Sequence, residues 1–155
     1  MVQQQGKTEM NKWDERFLRM AALVGTWSKD PSTSVGAVIT DKRHRVLSVG
    51  FNGLPRGIKD DKRLLGHREN KYKTIIHAEE NALFFANSPV RGCTIYVWPM
   101  PPCSSCCSKL IQCEIARVVS FVPDLEKQRR WGDSFQLAVK MFEEAGIILD
   151  LHEQF

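Results

Sequence analysis

The chain has 155 residues, 43% of them hydrophobic and 26% charged, with a formal charge of +4. That size and balance suit one soluble globular domain with a core that needs no disulfide staples. They exclude a membrane-spanning helix, because no stretch approaches ~20 apolar residues, and argue against nucleic-acid binding, because the basic residues are dispersed rather than interleaved with aromatics.

Residues 1–10 are polar and are expected to form a flexible N-terminus without signal-peptide character, leaving 11–155 as a single domain. From Asn11 to Ser28 the apolar residues Trp13, Phe17, Met20, Ala21, Val24 and Trp27 recur at helical spacing. Pro31 ends that helix by disfavouring helical geometry at Asp30. Val35 to Thr40 reads as a strand, Asp41 to His44 as a tight connection, and Arg45 to Phe51 as the hairpin partner. Asn52 to Tyr72, rich in Gly, Pro and charge, reads as a long loop with at most a short helical piece, of the kind that carries function. His77 to Asn87 is helical, Cys93 to Trp98 a buried strand, and Cys103 to Cys113 a helix opened by Pro101-Pro102. Ala116 to Val122 is a strand and Trp131 to Ala145 an amphipathic helix with Phe135, Leu137, Ala138, Met141 and Phe142. Gly146 caps that helix before a last strand, Ile147 to Leu151.

This order predicts an α/β class: a three-layer α/β/α fold around a five-stranded mixed sheet. The first two strands form an antiparallel hairpin, and the later ones, joined by helices, run parallel. Two helix starts that follow strands can then converge at one end of the sheet.

Those starts carry the chemistry. His77-Ala78-Glu79 is followed, 23 residues after the Glu, by Pro102-Cys103-Ser104-Ser105-Cys106. One imidazole and two thiolates hold a zinc ion while leaving its fourth tetrahedral position open to water. A Glu two residues beyond the His can sit beside that water and move protons. H-x-E with P-C-x-x-C is the signature of zinc nucleobase deaminases, far more specific than a lone C-x-x-C. The metal ligands are therefore His77, Cys103 and Cys106, with one Zn²⁺ per chain, and Glu79 is the catalytic acid/base. Glu80 reads as a surface residue. Cys107, rotated by ~100° from Cys106, faces away from the metal. Cys93 and Cys113 read as core thiols. An odd number of cysteines crowded around a metal site points to a reducing, cytoplasmic setting.

Two further segments extend the pattern: Ser28-Lys29-Asp30-Pro31-Ser32-Thr33-Ser34-Val35-Gly36-Ala37 and Gly50-Phe51-Asn52-Gly53-Leu54-Pro55-Arg56-Gly57. From about Trp13 to Gly146 the chain resembles the deoxycytidylate (dCMP) deaminases of the cytidine deaminase superfamily, whose S-R/K-D-P-S-T-x-V-G-A and G-F/Y-N-G-x-P-x-G segments these match. The resemblance implies the cytidine deaminase-like fold, hydrolysis of dCMP to dUMP and ammonia, and a homo-oligomer, hexamer or dimer. It implies that Asn52 bonds the deoxyribose 3′-hydroxyl and that Ala78 joins the substrate contacts. Lys29 and Arg56 flank the matched loops and are candidates for the 5′-phosphate, with Ser32 and Thr33 as hydroxyl donors. Glu69, Lys71 and Lys73, ahead of His77, are within reach of the phosphate as well, and Phe51 and Trp98 are candidate walls for the base. Trp98 to Pro102 departs from the family's usual approach to its Pro-Cys, which bears on tolerance at the pyrimidine C5.

Other readings stay open: another cytosine nucleotide, such as dCTP or a 5-substituted dCMP; a nucleoside, free base or tRNA adenosine; or a structural zinc module, which would need four protein ligands.

Overall fold

The structure is a computed structural model that describes residues 10–155; the expected N-terminal tail over 1–9 lies outside the described residues. The element order is α1 (Lys12–Gly25), β1 (Gly36–Thr40), β2 (Val46–Phe51), α2 (Lys62–Gly66), α3 (Arg68–Thr74), α4 (Ala78–Phe84), β3 (Thr94–Trp98), α5 (Ser104–Gln112), β4 (Arg117–Phe121), α6 (Leu125–Ala145) and β5 (Ile148–His152). The five strands lie in the order β2-β1-β3-β4-β5. β1 is antiparallel to both β2 and β3, while β3, β4 and β5 are mutually parallel. This is the mixed sheet that the sequence predicts.

Alternation along the strands sorts side chains into two cores. Ala37, Ile39, Ile95, Val97 and Val118 pack with residues of α4, α5 and α6, whereas Val38, Tyr96, Val119 and Phe121 pack with α1. Two glycines let helices touch the sheet backbone on its opposite faces. A Cβ on Gly36 would lie 1.9 Å from the Ala21 carbonyl of α1, and one on Gly50 would lie 2.3 Å from the Ala78 carbonyl of α4. Gly50 therefore seats the first turn of α4 directly on β2. That contact sets the height of His77 and Glu79 above the sheet.

The structure corrects four expectations. α6 starts at Leu125 rather than Trp131, because Asp124 caps it by accepting from the Lys127 N–H (2.9 Å). The loop after β2 contains two short helices, each with a capped start at Asp61 or His67; both are too short to show an apolar stripe. α1 ends at Gly25, so Trp27 falls outside it and is exposed. Cys113 is exposed at the C-cap of α5, and only Cys93 of the expected pair is buried. Gly146 takes the left-handed capping geometry expected of it, at φ 75°.

Candidate functional site

Both ligand segments sit at helix starts that follow extended chain. His77 is the N-cap of α4, and Cys103 is the N-cap of α5, where its Sγ accepts from the Cys106 N–H at 3.5 Å. Cys106, three residues on, projects to the same side of the first turn. His77 Nδ1 lies 3.1 Å from Cys106 Sγ and 3.6 Å from Cys103 Sγ. All three donor atoms fall within 4.8 Å of one another. Tetrahedral zinc with bonds of ~2.0 Å to nitrogen and ~2.3 Å to sulfur spaces such donors about 3.5–3.8 Å apart, so the set fits the ion with little adjustment. Among the described residues this group has three members, the number of protein ligands typical of a catalytic zinc site.

The electrostatics of the metal-free site fit the same reading. The hydrogen bond from Cys106 and the neighbouring His77 hold the Cys103 thiol down to about 4. His77 is pushed up to about 9, mainly by its bond to Cys103 and against the effect of burial. Cys106 is pushed well above its ordinary value by the Cys103 sulfur and by burial. Glu79 is 5% exposed, and burial raises its carboxyl, opposed by His77.

Glu80, expected to be a surface residue, instead positions the site. Its Oε1 accepts from the His77 backbone N–H at 3.1 Å, closing a capping box, and its carboxylate lies 3.5 Å from Lys109 Nζ of α5. The signal was present in the sequence: an acid three residues after a helix-capping position. Glu80→Ala is expected to lower stability by about 1 kcal/mol and to weaken zinc retention with all three ligands intact. A thermal melt and a chelator titration read the two effects.

His77, Ala78, Glu79 and Cys103 face a cavity of about 120 Å³. Its other walls are Asp30, Ser32, Thr33, Val35 and Asn52 from the two motif loops, Lys71, Tyr72 and Ile75 from α3 and its C-cap, Met100 and Pro101 before Cys103, and Arg130, Trp131 and Phe135 from α6. Asn52 is buried, and its side chain ties the two motif loops together. Oδ1 accepts from the Val35 N–H (2.9 Å), and Nδ2 donates to the Thr33 carbonyl (2.8 Å). Asp30 organises the next turn by accepting from the N–H groups of Ser32 (2.9 Å) and Thr33 (3.2 Å) and from Lys71 Nζ (3.2 Å). Burial raises the Asp30 carboxyl, but these donors outweigh it and hold it below its usual range.

Of the expected substrate contacts, Asn52, Ala78, Ser32 and Thr33 line the cavity. Lys29 and Arg56 do not: Lys29 is exposed and paired to Asp60 at 2.6 Å, and the Arg56 guanidinium lies over the Phe85 ring at 5.0 Å. Phe51 and Trp98 also lie outside it; Phe51 meets Trp27 edge-on, and Trp98 packs against the α1 core. Sequence reasoning missed Tyr72, Arg130 and Trp131. Arg130 lies in the polar start of α6, ahead of the apolar period that begins at Trp131.

The family model for the cytidine and deoxycytidylate deaminase zinc-binding region matches residues 11–122. An uncharacterised deaminase in the luxG 3′ region of Aliivibrio fischeri is 47% identical over 138 residues, covering 89% of this chain and 92% of that protein. The deoxycytidylate deaminase of Homo sapiens is 34% identical over 142 residues, or 88% and 77% of the two chains. Among solved structures, the dCMP deaminase of cyanophage S-TIM5 in complex with dCMP and dUMP aligns with a TM-score of 0.74 over 94% of this chain and 100% of that one. Its 18% identity makes that a likeness of fold.

Proposed function

The chain belongs to the cytidine and deoxycytidylate deaminase family, and from that membership we propose that it hydrolyses dCMP to dUMP and ammonia. One juxtaposition carries the reading. A buried carboxyl, Glu79, stands beside a His/Cys/Cys zinc site in a cavity to which the two deoxycytidylate deaminase-like loops bring Asp30, Ser32, Thr33 and Asn52.

His77 Nδ1, Cys103 Sγ and Cys106 Sγ would hold the zinc, which when bound would bring the pKa of a water towards neutrality. Glu79 moves the protons. Its carboxylate accepts one from the attacking water, passes it to ring N3, and returns a second to the departing amine. Water adds at C4, the C4–N4 bond breaks, and ammonia leaves. Burial of Glu79 raises its proton affinity towards the range in which a group both takes and gives. The Ala78 N–H belongs to the first turn of α4 and has no intrahelical partner; we assign it to the base carbonyl. Asn52 borders the sugar and fixes the loop that carries Ser32 and Thr33. Met100, Pro101 and Phe135 supply apolar walls that keep bulk water from the ring.

Residues 11–155 act as one domain in this reading. We assign the protein to the cytoplasm, on its five free cysteines. Among the described residues no helix is long and apolar enough to cross a membrane. A homo-oligomer, hexamer or dimer, is also part of the proposal; exposed Trp27, Phe84 and Phe85 offer apolar surface for a second copy.

Parallel assays on dCMP, dCTP, deoxycytidine and a tRNA anticodon stem-loop test the substrate. The highest kcat/KM is expected with dCMP. A higher value for any of the others would replace this reading with the corresponding one.

A further inference from the structure

Resting on the nucleotide reading above, we propose that Arg130, on the first turns of α6, is the residue that binds the substrate's 5′-phosphate and so selects a nucleotide over a nucleoside.

Among the described residues, apart from the metal-site residues His77 and Cys103, the cavity is lined by two basic side chains, Lys71 and Arg130, and by two carboxylates, Asp30 and Glu79. Lys71 is almost wholly buried and paired with the equally buried Asp30 (3.2 Å), and it donates as well to Ser32 Oγ. Its charge is already cancelled. Lys71 thus fixes the Asp30–Thr33 turn rather than offering a free cation. Two thiolates formally neutralise a divalent zinc, and Glu79 adds no positive charge. Without Arg130, then, the cavity has no net attraction for a phosphate dianion. With it, one guanidinium remains uncommitted: among the described residues Arg130 makes no ion pair.

Its setting suits the task. The guanidinium stacks on the Trp131 ring, 4.2 Å from the centroid, and Nη2 lies 3.5 Å from Tyr72 Oη. Stacking orients a planar fork whose remaining N–H groups match two phosphate oxygens, a geometry lysine lacks. The helix that carries it is tied to the metal centre. Ser134, one turn further along, accepts the Ser104 backbone N–H at 2.9 Å, and Ser104 directly follows Cys103. Arg130 is thereby held in register with the start of α5. α6 also lies beyond the 11–122 span that the family model matches, so the zinc signature alone does not supply this cation.

The test compares zinc-loaded full-length wild type, Arg130→Gln and Arg130→Lys on dCMP and on deoxycytidine. In wild type the ratio of kcat/KM for dCMP over deoxycytidine is expected to be well above one. Arg130→Gln should lower that ratio about 10- to 100-fold, the worth of a hydrogen-bonded charge, chiefly through KM for dCMP. Arg130→Lys should fall between the two. A ratio in Arg130→Gln within twofold of wild type would overturn the assignment. A wild-type ratio near one would instead sink the nucleotide reading on which it rests.

Discussion

Glu79→Gln is expected to lower kcat/KM for dCMP by about 10²- to 10⁴-fold, the usual worth of a positioned general acid/base, while zinc content stays at one ion per chain. Glutamine keeps the volume and the hydrogen-bonding reach of the side chain but can neither accept nor return a proton. Its amide is also neutral, so burying it is no harder than burying the carboxyl it replaces; loss of fold is not the expected failure. The ligand set is untouched, because Glu79 is not one of the three converging donors. Steady-state kinetics with elemental analysis on the same preparation separate the outcomes. Turnover within a few-fold of wild type would remove Glu79 from the proton path, and loss of zinc in parallel would reassign it to holding the metal.

The same residues show where sequence reasoning reaches and where it stops. The grouping of His77, Cys103 and Cys106 was legible because zinc chemistry demands fixed residue types at helix starts, and H-x-E with P-C-x-x-C leaves few alternatives. The sheet was legible because strands buried on both faces, such as Val35 to Thr40, are short continuous apolar runs, and an α-β-β-α-β-α-β-α-β order admits few topologies. The cavity wall on α6 was not. Leu125 to Arg130 is mostly charged and its turns are capped by Asp124 and packed only further along, so an apolar period appears only from Trp131 onward. Lys71 was visible as a charge, yet nothing in a linear sequence pairs it with Asp30, 41 residues earlier. Conversely, Lys29 and Arg56 neighbour the cavity in sequence but point elsewhere, to Asp60 and Phe85. Contacts formed across the fold between polar side chains carry no period, and that is the part a sequence hides.

Zinc loading of the metal-free protein is expected to release about two protons per ion near pH 7 and to strengthen about 100-fold for each unit of pH rise between roughly pH 5 and 8. The count follows from the three donors. Cys103, held down to about 4, is already a thiolate across this range and gives up nothing. His77, pushed up to about 9, carries a proton that must leave before its Nδ1 can bind a metal. Cys106, pushed higher still, enters as a thiol and must also deprotonate. Two protons displaced means that affinity varies with the inverse square of proton concentration, so it is lost as pH falls. Below about pH 4 Cys103 protonates as well and the dependence steepens to three. Above about pH 9 His77 is already neutral and the dependence relaxes to one. Calorimetric titration in buffers of different ionisation enthalpy counts the protons directly. A count near zero would mean that the donors are already deprotonated, and that the hydrogen bonds between His77 and the two sulfurs do not persist without the metal. A count near three would remove Cys103 from its thiolate state and, with it, the role of the α5 N-terminus in preparing the site.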